Sequence, residues 1–101
     1  MQTSKINVRI DSELLQRLRA NISKSELNKR KFVEGLLEMY VVACEHLSYI
    51  STPSGYNKKS YYIIELKGSL KMKIGELADK YNMSISDFVR CALISWDLAN
   101  K

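Results

Sequence analysis

Proline and glycine are scarce in this chain, one and four respectively among 101 residues. That scarcity argues against a low-complexity or disordered segment, and 46% hydrophobic with 27% charged residues describes a globular, helix-rich chain. Cysteine is nearly as rare. Cys44 and Cys91 lie in apolar runs without zinc or redox spacing, so both are expected as buried free thiols in a reducing compartment. The one histidine, His46, has no catalytic constellation, and paired carboxylates, a nucleophile elbow and a glycine-rich phosphate loop are missing. An enzyme is therefore not expected, nor a cofactor or a metal. No apolar run approaches the ~18–20 residues of a membrane span, and the opening MQTSKINVRID has no apolar signal core. A cytoplasmic protein with no membrane partner is the expectation.

What is present is a modest positive balance and a repeat. Sixteen basic and eleven acidic residues give a net charge of +5, a field compatible with a polyanionic partner. Split at residue 48, the halves carry +2 and +3, so neither is a basic tail. Sliding the sequence on itself by 56 positions aligns nearly every apolar residue without a gap. Val8 falls on Ile64, Ile10 on Leu66, Leu14 on Leu70, Leu18 on Ile74 and Leu27 on Met83. Phe32, Val33, Leu37 and Tyr40 fall on Phe88, Val89, Leu93 and Trp96.

Each copy reads as one strand and two helices. Residues 5–10 and 61–66 have the period of two of a half-buried strand. A helix of ~12–14 residues follows, with Asp11 or Ser12 as cap in the first copy and Ser69 expected in the second. Leu14, Leu18 and Ile22 line the first of these helices, and Leu70, Ile74, Leu77, Ala78 and Tyr81 the second. A further helix begins after a polar turn, capped by Asn28 or Ser84. Its apolar face runs Phe32, Val33, Leu36, Leu37, Tyr40, Val41, Cys44, Leu47 in one copy and Phe88, Val89, Ala92, Leu93, Trp96 in the other. Residues 48–59, with Pro53-Ser54-Gly55, read as a linker.

A lone strand leaves its backbone groups unpaired, and one strand with two helices is too small to bury these faces. Two copies solve both problems if the strands pair antiparallel above four helices. The expected fold is a single domain, 1–101, mainly α with a two-stranded antiparallel ribbon, its units at 5–47 and 60–100 forming an intramolecular pseudo-dimer. With Asn7-Val8-Arg9-Ile10 before the first helix and Asn82-Met83-Ser84-Ile85-Ser86-Asp87-Phe88-Val89-Arg90 at the second turn, the pattern resembles the ribbon-helix-helix family of DNA-binding proteins. Two units in one chain look like its rarer tandem, TraY-like type. The resemblance implies a ribbon that enters the DNA major groove, as in MetJ and Arc.

If Ile6, Val8 and Ile10 face the core, then Lys5, Asn7 and Arg9 face outward, a donor set suited to guanine and adenine edges. The second strand departs from this pattern, because its outward residues are Tyr61, Ile63 and Glu65. Glu65 can accept from cytosine N4 and Ile63 can meet a thymine methyl; alternatively this strand is scaffold or a protein contact. With Asn7 opposite Ile63, Lys5 would face Glu65 and Arg9 would face Tyr61, both favourable pairs. Phosphate contacts are expected at the two later helix starts. One carries Asn28, Lys29, Arg30 and Lys31, and the other carries Ser84, Ile85 and Ser86 with no adjacent cation. The plainer reading of Lys29–Lys31 is a solvated turn.

Double-stranded DNA is thus the expected partner, with a role as a small transcriptional repressor or regulator, and with copies able to sit side by side on the duplex. A plasmid relaxosome or partition accessory is the alternative role. A protein-interaction module that kept the fold and lost DNA affinity is the competing class. Its antitoxin variant is less expected, since the chain ends at Lys101 directly after the last helix. No ligand-sensing segment is evident, so no small-molecule ligand is expected.

Overall fold

Two alternating segments become strands because every second side chain has a core to enter. In the computed structural model, which describes residues 3–101, β1 (Thr3–Ile10) and β2 (Ser60–Lys67) pair antiparallel as a two-stranded sheet. Ile6, Val8 and Ile10 of β1 are buried on one face together with Tyr62, Ile64 and Leu66 of β2. The register sets Asn7 opposite Ile63, Lys5 opposite Glu65 and Arg9 opposite Tyr61. A slip of one residue would turn the three apolar side chains of one strand to solvent, so burial itself selects this pairing.

Among the described residues, four helices accompany the ribbon: α1 (Ser12–Lys24), α2 (Lys29–Cys44), α3 (Gly68–Lys80) and α4 (Ile85–Asn100). Their starts are set by side-chain caps where the sequence supplies one. Asp11 Oδ1 accepts from the amides of Glu13 (2.8 Å) and Leu14 (3.1 Å), opening α1. Asn28 accepts from the Lys31 amide at 2.9 Å and Ser84 from the Asp87 amide at 3.0 Å, opening α2 and α4. These bonds satisfy amides that no preceding turn can reach.

The start of α3 differs from expectation. The helix begins at Gly68, so Ser69 lies inside the first turn and caps nothing; the cap position is Lys67, whose side chain makes no capping bond. A neighbouring helix compensates. The Lys67 amide donates to Glu34 Oε2 at 2.7 Å, and its ammonium pairs with Glu38 at 2.9 Å. The end of α2 differs as well. It stops at Cys44, and Leu47, expected on the apolar face, is 47% exposed. The Tyr81 hydroxyl lies within hydrogen-bond reach of the carbonyls of Cys44 and Leu47 and can donate its one proton to either, at the turn that follows α2.

Beneath the ribbon the helices share one core. Leu14 and Leu18 of α1, Val33 and Leu37 of α2, Leu70 and Ile74 of α3, and Phe88, Val89 and Leu93 of α4 are buried together. Two edge-to-face aromatic pairs join α2 to α4, Phe32 with Trp96 (6.1 Å between centroids) and Tyr40 with Phe88 (5.3 Å). Cys44 and Cys91 are free and buried, and burial pushes the Cys44 thiol upward.

Residues 45–59 hold no helix or strand, yet they are tied down along their length. Ile50 and Tyr56 pack against the core, and Thr52 Oγ1 lies 3.3 Å from Cys91 Sγ. The Asn57 amide donates to Asp11 Oδ2 (2.9 Å), and Asn57 Oδ1 accepts from the Ser12 amide (3.3 Å). Tyr56 donates to Asp97 Oδ2 (2.8 Å), which is also gripped by Arg17 through two bonds of 2.7 Å. Asp97 is only 1% exposed, so this cluster clamps the connection to α1 and α4 from within. Among the described residues, no helix is long and apolar enough to cross a membrane.

Candidate nucleic-acid interface

The outer face of the ribbon is what remains once the alternate side chains are buried. Lys5, Asn7 and Arg9 stand exposed on β1, beside Tyr61 (59% exposed), Ile63 (53%) and Glu65 on β2. All six residues expected on this face are therefore together on it. They are not independent of one another. The Arg9 guanidinium lies over the Tyr61 ring, 4.8 Å from its centroid, and donates to the Tyr61 hydroxyl. Glu65 accepts from the Thr3 hydroxyl at 2.7 Å and stands opposite Lys5. One end of the ribbon thus presents a propped cation, the other a cation beside an acid.

Helix α2 starts next to the Lys5–Glu65 end. A cleft of about 620 Å³ between them is lined by Lys5, Asn28, Lys29, Arg30, Val33, Ile63, Ile64 and Glu65. The cations here differ in freedom. Lys29 Nζ lies over the Tyr62 ring at 4.4 Å, and burial, with nearby Arg19, lowers its pKa. Arg30 lies 3.8 Å from Glu34, a loose pair on one helix face. Lys31 is exposed in the first turn. Three cations against the positive end of a helix are unfavourable by themselves, since the N-terminal dipole end favours anions. An anion at this point would be met by both the charges and the dipole.

Helix α4 starts at the Arg9–Tyr61 end and is built differently. The Ser86 hydroxyl donates to the Asn7 carbonyl at 3.1 Å, Ser84 Oγ holds the Asp87 amide, and Ile85 is partly buried against the core. Asp87 occupies the first turn and pairs with Arg90. That bond holds the Asp87 carboxyl below the ordinary carboxylate range, although burial opposes the effect. Arg90 is buried, and its Nε donates to the Arg9 carbonyl at 2.7 Å.

Three residues that shape this surface have no role assigned from the sequence, although Asp87 and Arg90 lie in the motif at the second turn. Glu34 and Arg90 are polar positions inside the apolar runs of α2 and α4, separated by the same 56 positions, and that repeated interruption was the available signal. Asp87 stands at the end of the Ser84–Ser86 run, where its sign mattered more than the hydroxyls before it. No protein-family model matches this chain, and no curated protein or solved structure matches it.

Proposed function

We propose that this protein binds double-stranded DNA sequence-specifically through its β-ribbon, as a tandem ribbon-helix-helix unit acting as a small transcriptional regulator rather than as an enzyme. One observation carries the reading. Three donor side chains, Lys5, Asn7 and Arg9, share the exposed face of a two-stranded ribbon, and a capped helix start bearing Lys29, Arg30 and Lys31 flanks it across a cleft. A two-stranded ribbon fits the major groove, where Arg and Lys recognise guanine and Asn recognises adenine. Cations at a helix start suit a phosphate, which positions the protein without reading sequence.

The two-unit reading is supported by the pairing pattern. Asn7 faces Ile63, its own counterpart 56 positions on, as a two-fold relation through the ribbon requires. The same shift exchanges the pairs Phe32–Trp96 and Tyr40–Phe88. Such a domain reads a few base pairs, and copies side by side on the duplex would extend the site.

The test is selection of bound sequences from a random duplex pool, repeated with Arg9→Ala and Lys31→Ala. Loss of Arg9 should relax preference at one position at a cost of ~1–3 kcal/mol, and loss of Lys31 should weaken all sequences evenly. Equal, sequence-blind losses from both would reject base readout by Arg9. A protein-interaction module is the second reading, favoured by the outward set of β2, Tyr61, Ile63 and Glu65, which contributes no cation of its own. Duplex binding that falls steeply with salt decides against it.

A further inference from the structure

The helices supply the two ends of the ribbon unequally with groups that could hold a phosphate. The Lys5–Glu65 end has the start of α2, with Lys29, Arg30 and Lys31. The Arg9–Tyr61 end has the start of α4, and no lysine or arginine precedes Arg90 there. Arg90 is buried and bonded to Asp87 and to the Arg9 carbonyl, so it does not reach outward. The one proton of the Ser86 hydroxyl is committed to the Asn7 carbonyl.

Another part of the chain brings cations to this end. The connecting segment finishes in Lys58-Lys59, directly before β2, whose first residue Ser60 pairs with Ile10 next to the Arg9–Tyr61 pair. Both lysines are exposed, and among the described residues neither joins an ion pair. Lys58 stands close enough to the α4 start that its charge adds to the Arg90 and Ser84 bonds in keeping the Asp87 carboxyl low, against burial. The backbone that carries these lysines is fixed. The Asn57 amide donates to Asp11 Oδ2 (2.9 Å), Asn57 Oδ1 accepts from the amides of Ser12 (3.3 Å) and Lys59 (3.1 Å), and the Ser12 and Ser60 hydroxyls meet at 2.8 Å. A cation on an anchored backbone loses less freedom on binding than one on a loose tether.

We infer that Lys58 and Lys59 bind backbone phosphates of duplex DNA at the Arg9–Tyr61 end of the ribbon, which makes the segment joining the two units part of the interface. This rests on the DNA-binding reading and deepens it. The ribbon is then flanked by cations at both ends, from a helix start at one and from the connection at the other. Phosphate contacts position a protein without reading bases, so these lysines set affinity and salt dependence and leave base preference alone.

The experiment measures fluorescence anisotropy of a duplex selected by the intact protein, across a range of salt. Wild type is compared with Lys58→Gln, Lys59→Gln, the double Gln variant, the double Arg variant and Lys80→Gln. Lys80 is an exposed lysine at the end of α3 away from β2, beside the end of α2, and controls for charge lost far from the ribbon. Each Gln variant should bind more weakly and flatten the log–log salt slope by about 0.9 for each phosphate lost, while the Arg variant and Lys80→Gln keep the wild-type slope. Base preference in a repeated selection should not change. Gln variants that keep the wild-type slope, or lose no more than Lys80→Gln, would overturn the inference while leaving DNA binding intact. If the double Gln variant is less stable to urea, ethylation interference with wild type decides the matter. Contacted phosphates should flank the base position that Arg9→Ala relaxes, and their absence there would equally overturn the inference. Absence of salt-sensitive duplex binding by wild type would reject the DNA-binding reading itself, and this inference with it.

Discussion

Tyr62 shows how one atom can be at odds with its surroundings. Its ring is buried under the ribbon and stacks with Lys29, but its hydroxyl is buried without a hydrogen-bond partner. Burial raises its pKa, because the phenolate is worse still in that setting. A buried polar group without a partner costs about 1–3 kcal/mol. Tyr62→Phe should therefore leave stability unchanged or raise it by about 1 kcal/mol, as read from the midpoint of urea unfolding. A clear loss would mean that the hydroxyl does find a partner. Arg9 is the opposite case, an exposed cation steadied by Tyr61 through stacking and a hydrogen bond.

At the scale of the element, the four helices differ in who begins them. Asp11 serves three amides, two in α1 and one at Asn57, whereas Ser84 serves one. Burial pushes the Asp11 carboxyl up, but the amides of Asn57, Leu14 and Glu13 outweigh it and its pKa is lowered. Asp11→Ala should cost about 2 kcal/mol, the upper end for a helix cap, and Ser84→Ala about 1 kcal/mol. Urea unfolding of the two variants checks the order, and equal losses would deny Asp11 its second task of holding the connecting segment. The ends also differ. Asn82 adopts a left-handed conformation (φ 57°), letting the amides of Asn82 and Met83 close on Asp79 and Ala78 at the end of α3. α1 ends without such a residue, at Ser25. The two helix-to-helix turns are therefore not copies of each other.

At the scale of the whole molecule, Asp97 joins three distant parts of the chain. The Arg17 hydrogen bonds hold its carboxyl well below the ordinary range, with burial opposing and Tyr56 assisting. The sign follows from linkage. A carboxyl whose pKa is lowered on folding contributes stability above its unfolded pKa, and loses it as pH falls through the folded value. Asp97→Asn should thus be less stable than wild type at pH 7 by roughly 1–3 kcal/mol, the worth of hydrogen bonds to a charged group. The gap should narrow below about pH 4, near the unfolded carboxyl value. Urea midpoints at pH 7 and pH 3 measure it; a gap that stays constant with pH would exclude the clamp as an ionised one.

Much of this architecture was legible in the residues because burial writes a period. Alternation in residues 5–10 and 61–66 marked the strands, and the same period named Lys5, Asn7, Arg9, Tyr61, Ile63 and Glu65 as the outward set. Asn28 and Ser84 were readable as caps, since an Asn or Ser ahead of an apolar run satisfies amides locally. Long-range events were not readable. The α3 start escaped because Glu34 and Glu38 serve Lys67 from another helix, and the α2 end escaped because Tyr81, just past the end of α3, meets the carbonyls there. The clamp of Arg17, Tyr56 and Asp97 spans 80 positions between its charged partners, and no local pattern announces such a pair. Local periodicity decides which face of an element is buried; only packing decides which polar groups meet across elements, because those meetings depend on distances that the folded chain alone brings within hydrogen-bond reach.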